Sequence, residues 1–167
     1  MTVKNRPAES EEILNRAMIR ANRAMFTIQM QVRRIGDSEP EDVSFLGRQM
    51  ADFEFLVVAA SRLRRAGNLA KKAQETSGKI ANALAAFDNA IPELKKFRDI
   101  AEHIDEYSVD DGWDKSIERQ HLENFAVTNG GKTFTWLDCS INVDELADAS
   151  LALYLSVKNA KEQVEAG

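Results

Sequence analysis

Apolar residues recur near the start of the chain at spacings that alternate between four and three. This repeat covers residues 10–35 and includes Leu14, Met18, Ala21, Met25, Ile28, Val32 and Ile35. Such spacing places one apolar stripe along an α-helix, which at ~1.5 Å of rise per residue would be about 40 Å long. The polar run Gly36-Asp37-Ser38-Glu39-Pro40 predicts where this helix ends.

A second helix is predicted from Asp42, a good N-cap residue, to about Arg65 or slightly beyond Gly67. Its middle, residues 53–60, is apolar on nearly all sides. A helix of that kind is normally enclosed by other elements, so we expect it to be the most buried helix of the protein.

Two shorter helices are predicted next. The third fits residues 76–88, where Ile80, Ala83, Leu84 and Phe87 share one face. The fourth is predicted to begin at Pro92, because proline lacks the N–H that a first helical turn leaves unpaired, and to reach Tyr107. The polar and acidic segment 108–115 then predicts a loop.

The pattern changes to a period of two near residue 125. Phe125 and Val127 alternate before Asn129-Gly130-Gly131, and Phe134 and Trp136 alternate after it. A glycine-containing turn between β-branched and aromatic runs is typical of a β-hairpin, which we predict over about 121–140.

The segment Asn142-Val143-Asp144-Glu145 resembles a capping box with asparagine as the cap, and it predicts the start of a last helix. The core stripe of that helix comprises Val143, Leu146, Ser150, Leu153, Val157 and Val164. Helices joined by short loops favour antiparallel neighbours. We therefore predict a mainly α fold in a single domain over residues 1–167. It is an antiparallel up-and-down helical bundle of about five helices with a small β-hairpin inserted before the last helix.

The composition is that of an ordinary globular protein, with 44% hydrophobic and 29% charged residues among 167. No apolar run approaches the roughly 20 residues that span a bilayer, so no membrane partner is predicted. The N-terminus turns acidic at Glu9-Ser10-Glu11-Glu12 and lacks the apolar region of a signal peptide. The single cysteine, Cys139, follows a predicted strand and cannot form an internal disulfide. These features favour a cytoplasmic protein with a buried thiol.

The net charge of −5 is unevenly distributed. Residues 1–72 contain 13 Lys and Arg against 9 Asp and Glu, a balance of +4, whereas residues 73–167 contain 9 against 18, a balance of −9. Two interpretations stay open. The helix faces of opposite charge attract one another, or a basic groove for a polyanion lies beside an acidic patch.

The strongest candidate for chemistry is the segment Phe97–Tyr107, which holds one of two histidines. On a helical wheel, the polar residues Arg98, Asp99, Glu102, His103 and Glu106 lie opposite the apolar ones. Asp99 and His103 are one helical turn apart, so the carboxylate is placed to orient the imidazole and hold it charged. Arg98 flanks the same exposed face, five residues before His103.

The pattern Arg98-Asp99-x-x-x-His103 resembles the Arg-x4-6-His motif of HEPN domains. These are helical bundles that include many metal-independent RNases and toxin components. The resemblance covers the motif and a bundle-like frame, and the predicted hairpin departs from it. It implies Arg98 as a phosphate-binding cation, Asp99 as a polar orienting residue and His103 as the acid–base group. It also implies a homodimer, because the family gathers these residues at a dimer interface, and a toxin or defence role with RNA as substrate and an antitoxin as protein partner.

These residue types suit metal-independent RNA cleavage. The ribose 2′-OH is an internal nucleophile, so the enzyme must position it, move protons with a group that titrates near neutral pH, and stabilise the phosphorane with a cation. No metal or other cofactor is predicted, because a di-iron bundle needs Glu-x-x-His motifs on two helices and Ile100 stands three residues before His103. His121, the second histidine, is expected to face solvent.

The acidity of this segment opposes phosphate binding. From Asp99 to Asp111 the chain has six acidic residues and no Lys or Arg. The cations Arg16, Arg20 and Arg23 fall at helical spacing on the first helix, where they could cover the acidic segment and contact RNA. Alternatively, those arginines pair with the acidic helix and His103 belongs to a salt-bridged surface cluster. The protein would then be a non-catalytic helical module that binds a protein partner.

Overall fold

The computed structural model describes residues 6–37 and 43–166, within which the chain forms six α-helices and three β-strands. The helices are α1 (Arg6–Gly36), α2 (Val43–Ala70), α3 (Ser77–Ala90), α4 (Leu94–Glu102), α5 (Ile104–Ser108) and α6 (Val143–Glu165). A 3₁₀ turn at Arg119–His121 precedes the strands β1 (Phe125–Thr128), β2 (Thr133–Trp136) and β3 (Cys139–Asn142). The predicted fold class, a mainly helical bundle with a small antiparallel sheet before its last helix, is confirmed. The predicted N-cap Asp42 lies outside the described residues.

The two long helices form one side of the bundle. The predicted stripe of α1 is buried at Leu14, Met18, Ala21, Met25, Ile28 and Ile35, and half-buried at Val32. Helix α2 packs on α1, α3, α4 and α6, and its residues Phe53, Leu56, Val57, Ala60 and Leu63 are buried. These neighbours leave one face of α2 uncovered, since Phe55 is 60% exposed. Helix α2 is therefore open to solvent on this face, although the apolar pattern of residues 53–60 is typical of an enclosed helix.

The predicted fourth helix is interrupted at His103 and starts after Pro92, at Leu94. The backbone of His103 has φ −120° and ψ 28°, outside the helical region, and separates α4 from α5. With this break, the ring of Tyr107 is buried beneath Gly112, where a Cβ would collide with it, and Ile104 is left 38% exposed. Burial of the larger tyrosine ring offsets the helical hydrogen bonds lost at the break.

The predicted hairpin is present and belongs to a three-stranded antiparallel sheet of order β1-β2-β3. Phe125 is paired with Trp136 across β1 and β2, and positive φ angles at Asn129, Gly130 and Gly131 close the turn between them. The third strand was not predicted. It follows a two-residue turn, Leu137-Asp138, in which both residues have positive φ (49° and 63°), as the central residues of a type I′ turn do.

Aromatic rings join the sheet to the helices. Phe53 of α2 stacks on Phe134 of β2 with ring centroids 4.0 Å apart and an interplanar angle of 2°, and its edge meets Phe97 of α4 at 5.1 Å. Trp136 contacts Phe97 at 4.9 Å and donates its indole N–H to the carbonyl of Leu122 over 2.8 Å. The sheet is therefore part of the core.

The last helix begins as predicted. The side-chain oxygen of Asn142 accepts hydrogen bonds from the backbone N–H groups of Asp144 (2.9 Å) and Glu145 (3.1 Å). The stripe Val143, Leu146, Ser150, Leu153 and Val157 is buried, with Val164 half-buried. Through this stripe α6 packs on α1, α2, α3 and β3 and closes the core.

Candidate nucleic-acid interface

A groove of about 480 Å³ lies between α1 and α2. It is lined by Arg20, Arg23, Ala24, Thr27, Ala59, Arg62, Arg65 and Ala66. Each helix thus contributes two arginines, and the four side chains bring four positive charges to one concave surface. We call this surface the arginine groove.

Small residues form the floor of the arginine groove. Ala24, Ala59 and Ala66 are 3%, 1% and 1% exposed, whereas the arginines around them are exposed. Because residues three, four and seven positions apart share a helix face, the alanines and arginines of one helix line the same side. The short alanine side chains leave room above the floor, and the long arginine side chains border that space.

The arginines of the groove lack acidic partners within residues 9–37 and 47–166, whose side chains the structure describes. No ion pair or hydrogen bond involves the guanidinium groups of Arg20, Arg23, Arg62 or Arg65 in this part of the chain. Other arginines nearby are engaged. Arg64, which lies between Arg62 and Arg65 in sequence, makes two 2.6 Å hydrogen bonds to Asp88, and these raise the pKa of its guanidinium. The groove therefore offers uncompensated positive charge to a ligand.

Two of the three arginines that the sequence predicts as RNA contacts lie at this groove. Arg20 and Arg23 line the groove, whereas Arg16, the third predicted RNA contact, pairs with Glu12 and does not line it. Arg62 and Arg65 were missed because the sequence predicts that α2 ends near Arg65, where basic residues favour the negative end of the helix dipole. In the structure α2 continues to Ala70, and neither arginine lies in its last turn. A signal was present nonetheless: neither residues 13–36 nor residues 55–74 contain an Asp or Glu.

The predicted catalytic arginine is already occupied. The guanidinium of Arg98 donates from Nε to Asp99 Oδ1 over 2.9 Å, and its Nη2 contacts the same oxygen. Glu102 Oε2 lies 3.7 Å from Arg98 Nε. The side chains of Arg98 and Asp99 are 22% and 19% exposed, so this pair is partly shielded from solvent. A phosphate at Arg98 would therefore compete with two carboxylates for the guanidinium.

His103 faces solvent and bonds to a different carboxylate from the predicted one. Its Nδ1 lies 3.0 Å from Oε1 of Glu106, and the imidazole is 49% exposed. The break between α4 and α5 removes the helical register that would place Asp99 one turn below the ring. The predicted pairing of Asp99 with His103 is therefore wrong, and Glu106 orients the imidazole.

A second groove, of about 540 Å³, is mainly apolar and has Arg98 among its lining residues. Its walls include Val57, Phe97, Ile104 and Trp136 together with the carboxylate of Glu54. Burial raises the pKa of Glu54 above its ordinary value of 4.5. His103 is not among the residues that line this groove, so it does not bring the predicted catalytic pair together.

Cys139 and His121, the remaining candidate residues, do not line the arginine groove. Cys139 is buried, and burial followed by the nearby Glu93 raises the pKa of its thiol to about 11, so the reactive thiolate is disfavoured. His121 is exposed beside Glu118, 4.0 Å away. Where the structure describes the chain, no three His, Cys, Asp or Glu side chains are grouped to hold a metal ion. No helix in the same part is both long and apolar enough for a membrane crossing.

Comparison of this chain with known proteins identifies no related protein. No protein-family model, no curated protein and no solved structure matches this chain. The resemblance to HEPN domains therefore rests on the Arg98–His103 motif and the bundle-like frame alone.

Proposed function

We propose that this protein is an RNA-binding module and that RNA binds in the arginine groove. The observation that carries the proposal is the convergence of Arg20, Arg23, Arg62 and Arg65 on one groove without acidic partners among the described side chains. A guanidinium group presents its N–H donors as a planar fork that matches two phosphate oxygens. Four such groups on one concave surface suit a chain of phosphates.

The overall negative charge does not oppose this assignment. The net charge of −5 arises in residues 73–167, whereas residues 1–72, which form the groove, carry a balance of +4. Salt screens exposed charges over about 8–10 Å, so a phosphate in the groove interacts mainly with the arginines around it. Release of counterions from RNA then supplies a large part of the binding free energy.

Binding in the groove needs no catalytic group. Cleavage by Arg98 and His103 stays a separate prediction, as does the homodimer that would duplicate them. The engagement of Arg98 by Asp99 and Glu102 favours a structural role for this cluster and supports a non-catalytic module. Binding of an acidic protein partner in the same groove is the alternative that the experiment must separate from RNA binding.

The test removes charge from the groove and from a matched position outside it. Fluorescence anisotropy with a labelled RNA oligomer would compare the wild type with Arg23→Gln/Arg62→Gln and with Arg16→Gln/Arg33→Gln. Both double variants lose two positive charges, but Arg16 and Arg33 do not line the groove. We expect the groove variant alone to weaken binding strongly and to reduce the slope of log Kobs against log[salt] by about 1.4, since each lost phosphate contact on a single strand contributes about 0.7.

Equal losses in the two variants would show a diffuse charge effect rather than a site. Failure of the wild type to bind RNA at low salt would refute the proposal, and capture of an acidic protein through the same arginines would then support the alternative. Circular dichroism of each variant verifies that the bundle is folded. All four substituted arginines are exposed, so we expect both double variants to fold.

A further inference from the structure

An exposed aromatic ring continues the arginine groove along α2. Phe55 is 60% exposed, although phenylalanine is more often buried in globular proteins. It lies four residues before Ala59 and seven before Arg62, the spacing that places residues on one helix face, and both of those residues line the groove. The ring therefore stands at the end of the groove.

The distances along α2 suit a strand of nucleotides. Seven helical residues rise about 10.5 Å, so Phe55 stands about 10.5 Å beyond Arg62 along the axis. A stacked nucleic-acid strand advances about 3.4 Å per nucleotide, which makes this separation about three nucleotides. Phosphates held by the arginines would thus place a base of the same strand over the ring.

We propose that the groove takes single-stranded RNA, with phosphates on the arginines and one unpaired base stacked on Phe55. The inference rests on the proposed function and names its substrate class. In a duplex each base is stacked and paired inside the helix, so its face is not available to a protein ring. An aromatic ring beside a positively charged groove is the arrangement that binds single strands.

The chain offers a matched control for the ring. Phe26 on α1 is 64% exposed and does not line the groove. It follows the groove-lining Arg23 by three residues, about 60° around the helix, but it is turned by about 100° or more from the other three groove-lining residues of α1. Phe26→Ala and Phe55→Ala therefore remove the same exposed ring, and only the second removes it from the path of the strand.

Anisotropy titrations would compare a labelled 12-nucleotide RNA, alone and annealed to its complement, at one salt concentration. We expect the wild type to favour the single strand and Phe55→Ala to weaken single-strand binding about tenfold. Phe55→Ala should bind the duplex as the wild type does, and Phe26→Ala should bind the single strand as the wild type does. Phe55→Trp should retain binding and Phe55→Leu should not, because leucine preserves apolar contact without a stacking face.

Each failure has a separate meaning. Full affinity in Phe55→Ala or Phe55→Leu, or equal losses in Phe55→Ala and Phe26→Ala, would overturn stacking on Phe55. If Arg23→Gln/Arg62→Gln weakened binding in the same experiment, the arginine groove would still stand. A duplex preference would overturn the single-strand assignment alone, whereas no effect of the arginine pair would refute the proposed function and this inference with it.

Discussion

The stacked rings of Phe53 and Phe134 should couple the sheet to the helices energetically. Phe53 is 0% exposed, its centroid is 4.0 Å from that of Phe134, and its edge meets Phe97. Truncation to alanine leaves a cavity beside the rings of Phe134 and Phe97, so Phe53→Ala should lower the free energy of unfolding by about 3–5 kcal/mol. Trp136→Ala should cost a similar amount, because Trp136 is 5% exposed and its indole N–H is bonded inside the core.

A double-mutant cycle isolates the stacking contribution. Phe53→Leu and Phe134→Leu largely preserve volume. The loss of stability in the double variant should be smaller than the sum of the two single losses by a coupling of about 0.5–1.5 kcal/mol, because either single change already removes the stacking. Urea denaturation followed by far-UV circular dichroism measures all four proteins. The control cycle pairs Phe53→Leu with Phe87→Leu, a buried ring of α3 that makes no ring contact with Phe53, and it should be additive within about 0.3–0.5 kcal/mol. The reasoning is refuted if the two cycles give the same coupling.

Two further predictions concern titration and catalysis. Because burial raises the folded-state pKa of Glu54, its contribution to stability is fully present below its ordinary value of 4.5 and is lost as pH rises through the folded value. Glu54→Gln should therefore raise the melting temperature at pH 7 but not at about pH 4, and a constant difference across this range would contradict the assignment. If Arg98 and His103 cleave RNA, activity should persist in EDTA, give 2′,3′-cyclic phosphate ends, and fall by roughly a hundredfold or more in His103→Ala or Arg98→Ala. An RNA pool left intact, or a strict monomer by light scattering, would count against that prediction.

A helix or a cap could be predicted from the sequence where its own residues carry the pattern that specifies it. The stripes of α1 and α6 repeat with helical period, and the cap at Asn142 needs only the residues that follow it. The break at His103 could not be predicted in this way, because it accompanies burial of Tyr107 beneath Gly112. The third strand was missed because Leu137-Asp138 lacks the Asn-Gly or Asp-Gly signature of a tight turn.

The candidate site was harder to predict because it spans two helices. Arg20 and Arg23 are separated from Arg62 and Arg65 by about 40 residues, and only the packing of α1 on α2 brings them to one groove. By contrast, the Arg98–His103 motif lies within one short segment and is easily recognised in the sequence. In the structure, however, Arg98 contacts the carboxylates of Asp99 and Glu102, and the side chain of His103 is exposed to solvent.

The packing of α1 against α6 has a consequence for synthesis of the protein. The two helices meet at a hydrogen bond from the Tyr154 hydroxyl to Asn22 across 132 residues of chain. Translation completes α2 at Ala70 but α6 only at Glu165, 95 residues later, which takes roughly 5 to 20 seconds at 5–20 residues per second. During that interval the apolar side of the first helical hairpin has no α6 to cover it. We therefore expect the nascent chain to expose apolar surface of the kind that chaperones bind until its last helix emerges.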